Sequence, residues 1–277
     1  MSIICDCHMH SHHSGDSEAS MESMIDRAVE LGLDTICFTE HQDFNYAKSP
    51  EGETEYCDEN AFMLNADSYL YELLGLREKY RDKIRIEFGV EVGLQKSCVK
   101  ENLIFCRDHE YDFIIGSLHL VDGQDPYYKH FFEGRDEKDV LKQYFTEYLE
   151  NIKKFHNFDV LGHLDYIVRY LPSGTREYNY ADYGDIIDEI FRYLIDNEKG
   201  IEINTKAMSK GMKEFHPCIA ALKRYRELGG EIVTVGSDAH KPENIADHFD
   251  KVPDVLKEAG FNYYCIYENR LPEYHKL

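Results

Sequence analysis

Short apolar runs alternate with amphipathic segments along most of this chain. Seven such runs lie near residues 2–7, 34–39, 84–90, 112–118, 157–162, 200–204 and 231–236. In the segments between several of them, apolar positions recur every three or four residues, which is typical of helices that bury one face. Strands that alternate with helices indicate a parallel sheet covered by helices. We therefore predict an α/β fold built on seven parallel strands.

The helical segments have recognisable boundaries. The first helix is predicted from Ser20, a residue suited to cap the first turn, to Leu31, and Gly32 stops it. Apolar stripes at 140–152 and 186–195, and a segment at 217–228, predict three more helices. A short closing run at 263–267 follows the last helix. The stripes indicate packing against the core rather than cofactor binding.

Metal-ligand residue types appear at the C-terminal ends of six predicted strands. In a βα barrel these ends surround one mouth, where active sites sit. A carboxylate in the loop after the first strand can reach the same place. Six imidazoles and three carboxylates are therefore expected to meet, which is about the number that three metal ions would need. The nine are His8, His10, Asp16, His41, Glu91, His119, His163, Asp238 and His240.

Two irregular stretches lie beside the predicted mouth. The longer one, from Asp43 to about Asn60, is rich in carboxylates and is interpreted either as a lid or as a solvated excursion. The shorter one runs from Val121 to Glu137.

The charge balance limits the class of partner. Asp and Glu number 53 against 31 Lys and Arg in 277 residues, which gives a formal net charge of −22. A surface that acidic repels nucleic acid and anionic membranes, so we expect neither as a partner. A small phosphate ester remains compatible with it. The oligomeric state is left open by the sequence.

Cysteine usage and hydropathy indicate the compartment. The eight cysteines show no Cys-x-x-Cys spacing, which favours reduced thiols in a cytosolic protein. No signal segment and no run of about 18 apolar residues is recognisable, so we expect a cytoplasmic protein without a membrane span.

Six motifs, in order, resemble those of the PHP (polymerase and histidinol phosphatase) superfamily. They are Asp6–Ser11 with Asp16, Phe38–His41, Gly89–Glu91, Gly116–His119, Leu161–Asp165 and Gly236–His240. The resemblance covers nearly the whole chain. It implies a distorted (β/α)7 barrel, as a single domain over residues 1–277, with its metal site at the C-terminal ends of the strands. It also implies two or three divalent ions of zinc, iron or manganese.

The resemblance also implies how the ligands are shared. Glu91 would bridge the first two ions, and Asp16 stands where many family members have histidine. An oxygen ligand there would favour a harder ion such as manganese. The three implied groups are His8, His10, Glu91 and Asp238; Glu91, His119 and His163; and Asp16, His41 and His240.

The residues at 164–165 and 202–205 most resemble the sequences of the histidinol-phosphate phosphatase branch of that superfamily. It implies hydrolysis of L-histidinol phosphate in histidine biosynthesis, with attack by a metal-bridging hydroxide. Either Asp16 or His41 would protonate the leaving group. Arg169 and Lys206, on loops over the mouth, are the predicted phosphate clamps. The alternatives are a phosphoesterase for another small phosphate, such as a nucleotide bisphosphate or phosphotyrosine, and a non-catalytic metal-binding protein.

Overall fold

Seven parallel strands pair in chain order to form the sheet at the centre of the molecule. The computed structural model describes residues 3–46 and 60–277. A parallel bridge between Met9 and Ala239 brings the first strand beside the end of the seventh. The sheet is therefore a nearly closed barrel, which confirms the predicted fold. Its strands are β1 (Cys5–Met9), β2 (Thr35–Gln42), β3 (Arg85–Gly93), β4 (Phe113–Ser117), β5 (Val160–Leu161), β6 (Gly200–Asn204) and β7 (Val233–Gly236).

Helices follow most of the strands. The α-helices of the described residues are α1 (Met21–Leu31), α2 (Ala66–Tyr80), α3 (Val99–Asp108), α4 (Glu137–Lys154), α5 (Gly184–Asp196), α6 (Lys206–Ser209), α7 (Ile219–Glu227) and α8 (Val252–Glu258). Short 3-10 helices span Lys129–Phe132, Tyr166–Tyr170, Tyr180–Asp182 and Pro242–Asn244. As predicted, the Ser20 side chain caps α1 by accepting from the Ser23 amide, and Gly32 ends it in a left-handed conformation at φ 75°.

Buried tyrosines anchor two helices to the strands that carry the site. The Tyr69 hydroxyl on α2 lies 2.9 Å from Phe38 O and 3.1 Å from Gly89 O, in the middle of β2 and β3. On α4, the Tyr148 hydroxyl lies 2.9 Å from Gly162 O. Each hydroxyl donates to a backbone carbonyl within a strand or directly after one, so each helix is held against the strand that it covers.

The register of the parallel ladder places the first site residues side by side. His41 on β2 pairs with Glu91 on β3. Gly162 leaves room for Ser117, whose hydroxyl donates to Glu91, since a Cβ atom at Gly162 would lie only 2.3 Å from Ser117 Oγ. Gly236 has the same role beside His8, because a Cβ atom there would lie 2.4 Å from the His8 Cβ atom.

An antiparallel hairpin follows the barrel. It consists of β8 (Tyr263–Glu268) and β9 (Leu271–Lys276). The sequence indicated the first of these strands only. Arg270, in the turn, donates to the Asp159 carboxylate at 2.5 Å and its backbone N–H donates to Asp112 O at 2.8 Å. The hairpin is thereby fastened to the ends of the barrel strands that lie away from the mouth.

Four further expectations concern the stretch beside the mouth, the cysteines, a membrane span and the number of domains. Residues 47–59 of the stretch predicted as a lid or an excursion lie outside the described residues. The seven cysteines that the structure describes are free thiols. Within the described ranges, no helix is both long enough and apolar enough to cross a bilayer. The single-domain organisation over residues 1–277 stays a prediction.

Candidate metal centre

Glu91, at the end of β3, is the central carboxylate of the mouth, and it is fully buried. Its Oε1 atom lies 2.8 Å from His163 Nε2 and 3.2 Å from His119 Nε2. Its Oε2 atom lies 3.0 Å from His41 Nδ1 and 3.3 Å from His8 Nε2. One carboxylate therefore faces imidazoles supplied by four different strands or strand ends.

The remaining predicted groups lie on the other side of the same mouth. His10 Nε2 is 3.5 Å from Asp238 Oδ1. His240 Nε2 is 2.8 Å from Asp16 Oδ2, and His41 Nε2 is 3.6 Å from that same oxygen. The structure thus brings together all nine groups that the sequence singled out.

The donor atoms of this cluster fit divalent metal ions. Glu91 Oε2 is buried and faces the nitrogens of His41 and His8 without a well-directed hydrogen bond, and the buried Asp16 Oδ1 has no hydrogen-bond partner among the described residues. His8 Nε2 and His10 Nε2 lie 3.1 Å apart. Atoms that bind one ion at about 2.0–2.2 Å are separated by about this distance. These oxygens and the converging nitrogens therefore suit cations.

The electrostatics hold Glu91 and His10 in the forms that bind metals, whereas neighbouring carboxylates outweigh burial and raise the pKa of His8 and His119. Burial raises the pKa of Glu91, but the surrounding imidazoles, His8 foremost, outweigh it and hold that pKa well below its usual range. Burial and the neighbouring His41 lower the pKa of His10 well below its ordinary value. A carboxylate that stays ionised and an imidazole that stays neutral are the forms that bind metals.

The two predicted phosphate clamps line the same mouth in different ways. The Arg169 guanidinium carbon lies 3.7 Å from the centre of the Tyr166 ring, and its buried Nε atom has no hydrogen-bond partner among the described residues. Lys206 Nζ is instead paired with Asp238 Oδ1 at 2.8 Å and lies 3.1 Å from His240 Nδ1. Arg169 therefore has an unused donor, whereas Lys206 already contacts two of the nine groups.

Comparison with known proteins assigns the chain to a family. The model of the PHP domain family matches residues 6–206, which contain seven of the nine groups. The chain belongs to the PHP domain family. It is 33% identical over 273 residues to a protein of Clostridium acetobutylicum named "Probable histidinol-phosphatase", covering 98% of this chain and 100% of that one. It is 32% identical over 259 residues to the histidinol-phosphatase of Lactococcus lactis, covering 93% and 91% of the two chains.

A solved structure has the same PHP fold. It is the crystal structure of the histidinol phosphate phosphatase from Lactococcus lactis complexed with zinc, L-histidinol and phosphate. The TM-score is 0.88 at 30% sequence identity, over 98% of this chain and 99% of that one. The likeness therefore extends over the complete barrel.

Barrel closure supplies the two groups beyond the matched range of the PHP domain. The Asp238 N–H donates to His8 O at 2.8 Å, and the His10 N–H donates to Ala239 O at 2.8 Å. Asp238 has φ 52°, in the left-handed region that aspartate tolerates better than most residues. These bonds set β7 beside β1 and turn the Asp238 carboxylate into the mouth of this PHP chain.

Glu202 on β6 is a supporting residue that the sequence indicated only as part of the 202–205 segment. Its Oε1 atom lies 2.6 Å from His8 Nδ1, and its Oε2 atom accepts from the His163 backbone N–H at 2.9 Å. A Cβ atom at Gly236 would lie 2.4 Å from Glu202 Oε1, so the glycine makes room for it. Strand alternation could have identified Glu202 from the sequence, because it places Glu202 and Asn204 on the same face of β6.

Two further supporting residues were missed altogether. Asp43 Oδ1 lies 2.9 Å from His119 Nδ1, and Gly93 leaves space for that carboxylate. Ser14 Oγ lies 3.1 Å from His10 Nδ1. These contacts orient imidazoles whose other nitrogen faces the centre, as carboxylate and hydroxyl partners commonly do for metal-binding histidines of this kind.

The wall beyond the nine groups combines aromatic rings with the buried carboxylate of Asp125. Asp125 accepts from the Tyr46 hydroxyl at 2.8 Å and from the Tyr127 backbone N–H at 2.8 Å. Burial raises the pKa of Asp125 above its ordinary value. The aromatic residues that line the cavity are Tyr46, Phe62, Tyr127, Tyr166 and Tyr170.

Proposed function

We propose that this chain is a metal-dependent phosphomonoesterase that hydrolyses L-histidinol phosphate to L-histidinol and inorganic phosphate, in histidine biosynthesis. The observation that carries the proposal is the nine-group cluster at the mouth of a barrel that matches, over almost its full length, a histidinol phosphate phosphatase solved with zinc, L-histidinol and phosphate. A fit over both whole chains argues for shared chemistry as well as shared fold.

The chain is proposed to hold two or three divalent ions of zinc, iron or manganese. Glu91 supports the sharing, because its Oε1 faces His163 while its Oε2 faces His8 and His41. When bound, such ions neutralise phosphoryl oxygens and supply a nucleophile by lowering the pKa of water. The proposed ligand groups are His8, His10, Glu91 and Asp238; Glu91, His119 and His163; and Asp16, His41 and His240.

Asp16 and His41 are proposed to handle the proton that the leaving alkoxide needs. The carboxylates of Asp16 and Glu91 outweigh burial and raise the pKa of His41 to about 10. His41 and His240 in turn outweigh burial and hold the pKa of Asp16 well below its usual range. A proton shared by this pair therefore rests on His41, and the ionised Asp16 carboxylate orients it. Both residues also belong to the third proposed ligand group, so they can carry the proton only when that position holds no ion.

The cationic side chains of the mouth are proposed to bind the phosphate. Arg169 offers a guanidinium with an unpaired buried donor, which suits a forked bond to a phosphate. Lys206 contributes a point charge beside Asp238, and Lys210 lines the same cavity.

The far wall suits the organic part of the proposed substrate. The Asp125 carboxylate can attract an ammonium group, and aromatic faces can pack against an imidazole or a cation. A small amino-alcohol phosphate with an aromatic ring matches both features. A nucleotide bisphosphate would place additional negative charge against Asp125, which disfavours it.

Phosphate release from a panel of monoesters tests the proposal. The panel contains L-histidinol phosphate, a nucleoside 3′,5′-bisphosphate, phosphotyrosine and an aryl phosphate that lacks an amine. We expect the highest kcat/KM for L-histidinol phosphate, loss of activity with a chelator, and recovery on adding back zinc or manganese. Better turnover of the bisphosphate would mean that it, and not L-histidinol phosphate, is the substrate. If no ester released phosphate in a chelator-sensitive way, the chain would be a non-catalytic metal-binding protein.

Asp125→Asn separates substrate recognition from the hydrolytic step. We expect a larger fall in kcat/KM for L-histidinol phosphate than for the aryl phosphate, since only the former carries an ammonium group. An equal fall for both esters would show that Asp125 supports the site as a whole.

A further inference from the structure

A second cluster of metal-ligand side chains lies apart from the nine-group centre. His12 and His13 occupy the loop between β1 and α1, and Glu72 belongs to α2. His12 Nε2 lies 3.4 Å and His13 Nε2 lies 3.0 Å from the same atom, Glu72 Oε2. In the described part of the chain, Glu72 makes no ion pair with any of the nine groups.

Two of the three separations among these atoms are close to those of ligands around one zinc ion. Zn–N and Zn–O bonds of about 2.0–2.2 Å in a tetrahedron place neighbouring ligand atoms about 3.3–3.5 Å apart. The two measured separations from Glu72 Oε2, 3.4 and 3.0 Å, lie close to that range, and the third separation is below 4.8 Å. Only a small adjustment would bring all three atoms onto one ion.

The exposure of the cluster leaves a coordination position to solvent. The side chains of His12 and Glu72 are 42% and 36% exposed, whereas that of His13 is only 9% exposed. The His13 ring packs beside the buried Tyr69, with ring centres 5.5 Å apart. The inner ligand is therefore held in place, and an ion from solution can reach the outer two directly.

We propose that His12, His13 and Glu72 form a peripheral binding site for zinc or a similar divalent transition-metal ion, with water as the fourth ligand. Two imidazoles and a carboxylate suit zinc, and also nickel or copper, better than magnesium or calcium. The ion joins the β1–α1 loop to α2. That loop also carries Asp16, one of the nine groups, and Ser14, which contacts His10. An ion bound by His12, His13 and Glu72 therefore holds this part of the metal centre in place.

Another histidine supplies a control, since it is paired differently. His109 Nε2 lies 3.0 Å from Asp67 Oδ1, yet within the described ranges no second imidazole shares that oxygen. A His109→Gln variant therefore removes an ordinary histidine–carboxylate pair near α2 without touching the proposed site.

Equilibrium dialysis of the full chain against zinc, followed by elemental analysis, tests the proposal. Wild type and His109→Gln are expected to bind one ion per chain more than Glu72→Gln or His13→Gln do. Magnesium in place of zinc is expected to abolish that difference. Circular dichroism checks that each variant is folded, and His12→Ala, at the most exposed ligand, provides a further variant that leaves the packing intact.

The readout is the number of ions and does not depend on which ester the chain hydrolyses. Equal zinc counts in wild type, Glu72→Gln and His13→Gln would overturn the proposal. So would loss of the ion in Glu72→Gln with full retention in both histidine variants, because that pattern belongs to a carboxylate site without imidazoles.

Discussion

Glu202 Oε1 lies 2.6 Å from His8 Nδ1 and thereby fixes which nitrogen of His8 faces the metal centre. The contact holds the proton on Nδ1 and leaves Nε2 directed at Glu91, 3.3 Å from Oε2. Burial lowers the pKa of His8, but the carboxylates of Glu202 and Glu91 outweigh it and raise that pKa well above its ordinary value. Glu202 is therefore a positioning residue that also increases the basicity of His8.

Glu202→Gln is expected to weaken metal binding or activity about 10–100-fold, the usual effect of losing such a partner. The amide keeps the size of the side chain but removes its negative charge. Titration of the metal-free protein with zinc, alongside kcat/KM for L-histidinol phosphate, measures both effects. Glu87→Gln, at another buried glutamate lower on β3, is the matched control. Wild-type zinc affinity and rate in Glu202→Gln would show that His8 needs no such partner.

Asp238→Asn is expected to lose metal from one site and to lower the rate at least about a hundredfold, because a neutral amide is a poor ligand for a catalytic cation. The backbone should tolerate the change, since asparagine accepts the left-handed conformation that Asp238 adopts at φ 52°. Elemental analysis and phosphate release measure the outcome. Asp122→Asn is the control, because Asp122 has φ 51° on the exposed surface. Near-normal turnover of Asp238→Asn would refute the ligand assignment.

Arg169→Lys is expected to lower kcat/KM for L-histidinol phosphate about tenfold or more. Lysine keeps the charge but loses the forked donor, and a hydrogen bond to a charged group contributes about 1.5–3 kcal/mol. Inhibition by inorganic phosphate should weaken in parallel, because the same fork would bind the product. Arg192→Lys, at an exposed arginine of α5, controls for general effects. Unchanged phosphate inhibition would remove Arg169 from the phosphate site.

The convergence of the nine groups could be predicted because it depends only on topology. Parallel strands end on one side of a barrel, so His41 and Glu91 had to become neighbours once their strands were recognised. Strand limits were less predictable. The run predicted at 157–162 forms a strand only at Val160–Leu161. Before it, the Ile114 N–H of β4 donates to the Asp159 carboxylate at 2.8 Å and not to a backbone carbonyl of a strand.

The supporting contacts could not be predicted, because each depends on a residue far away in the sequence. Nothing near Asp43 distinguishes it from the other carboxylates of its loop; the space left by Gly93 turns it toward His119. Lys206 lies at the mouth as expected, but it is the first residue of α6 and not part of a loop. Its pairing with Asp238 requires the closed barrel, in which β6 and β7 lie side by side.

A buried carboxylate remote from the mouth gives a pH-dependent stability. Burial and the adjacent Asp112 raise the pKa of Glu87 to about 8, although Arg85 and Arg77 oppose the shift. Because that pKa is above the value in the unfolded chain, the folded state binds the proton more tightly. The stabilisation from protonated Glu87 is fully present below the ordinary glutamate pKa and is lost as the pH rises through about 8.

Glu87→Gln should therefore have a flatter profile of unfolding free energy against pH than wild type, because glutamine stays neutral throughout. Denaturant unfolding in steps up to about pH 8, with both proteins in the same metal state, measures the difference. The difference in unfolding free energy between the two proteins should shift in favour of Glu87→Gln as the pH rises. Glu268→Gln, at the half-exposed partner of Arg85, tests whether loss of any carboxylate beside that arginine has the same effect. Parallel profiles for wild type and Glu87→Gln would mean that Glu87 is already ionised in the folded protein at low pH, with the two arginines outweighing its burial.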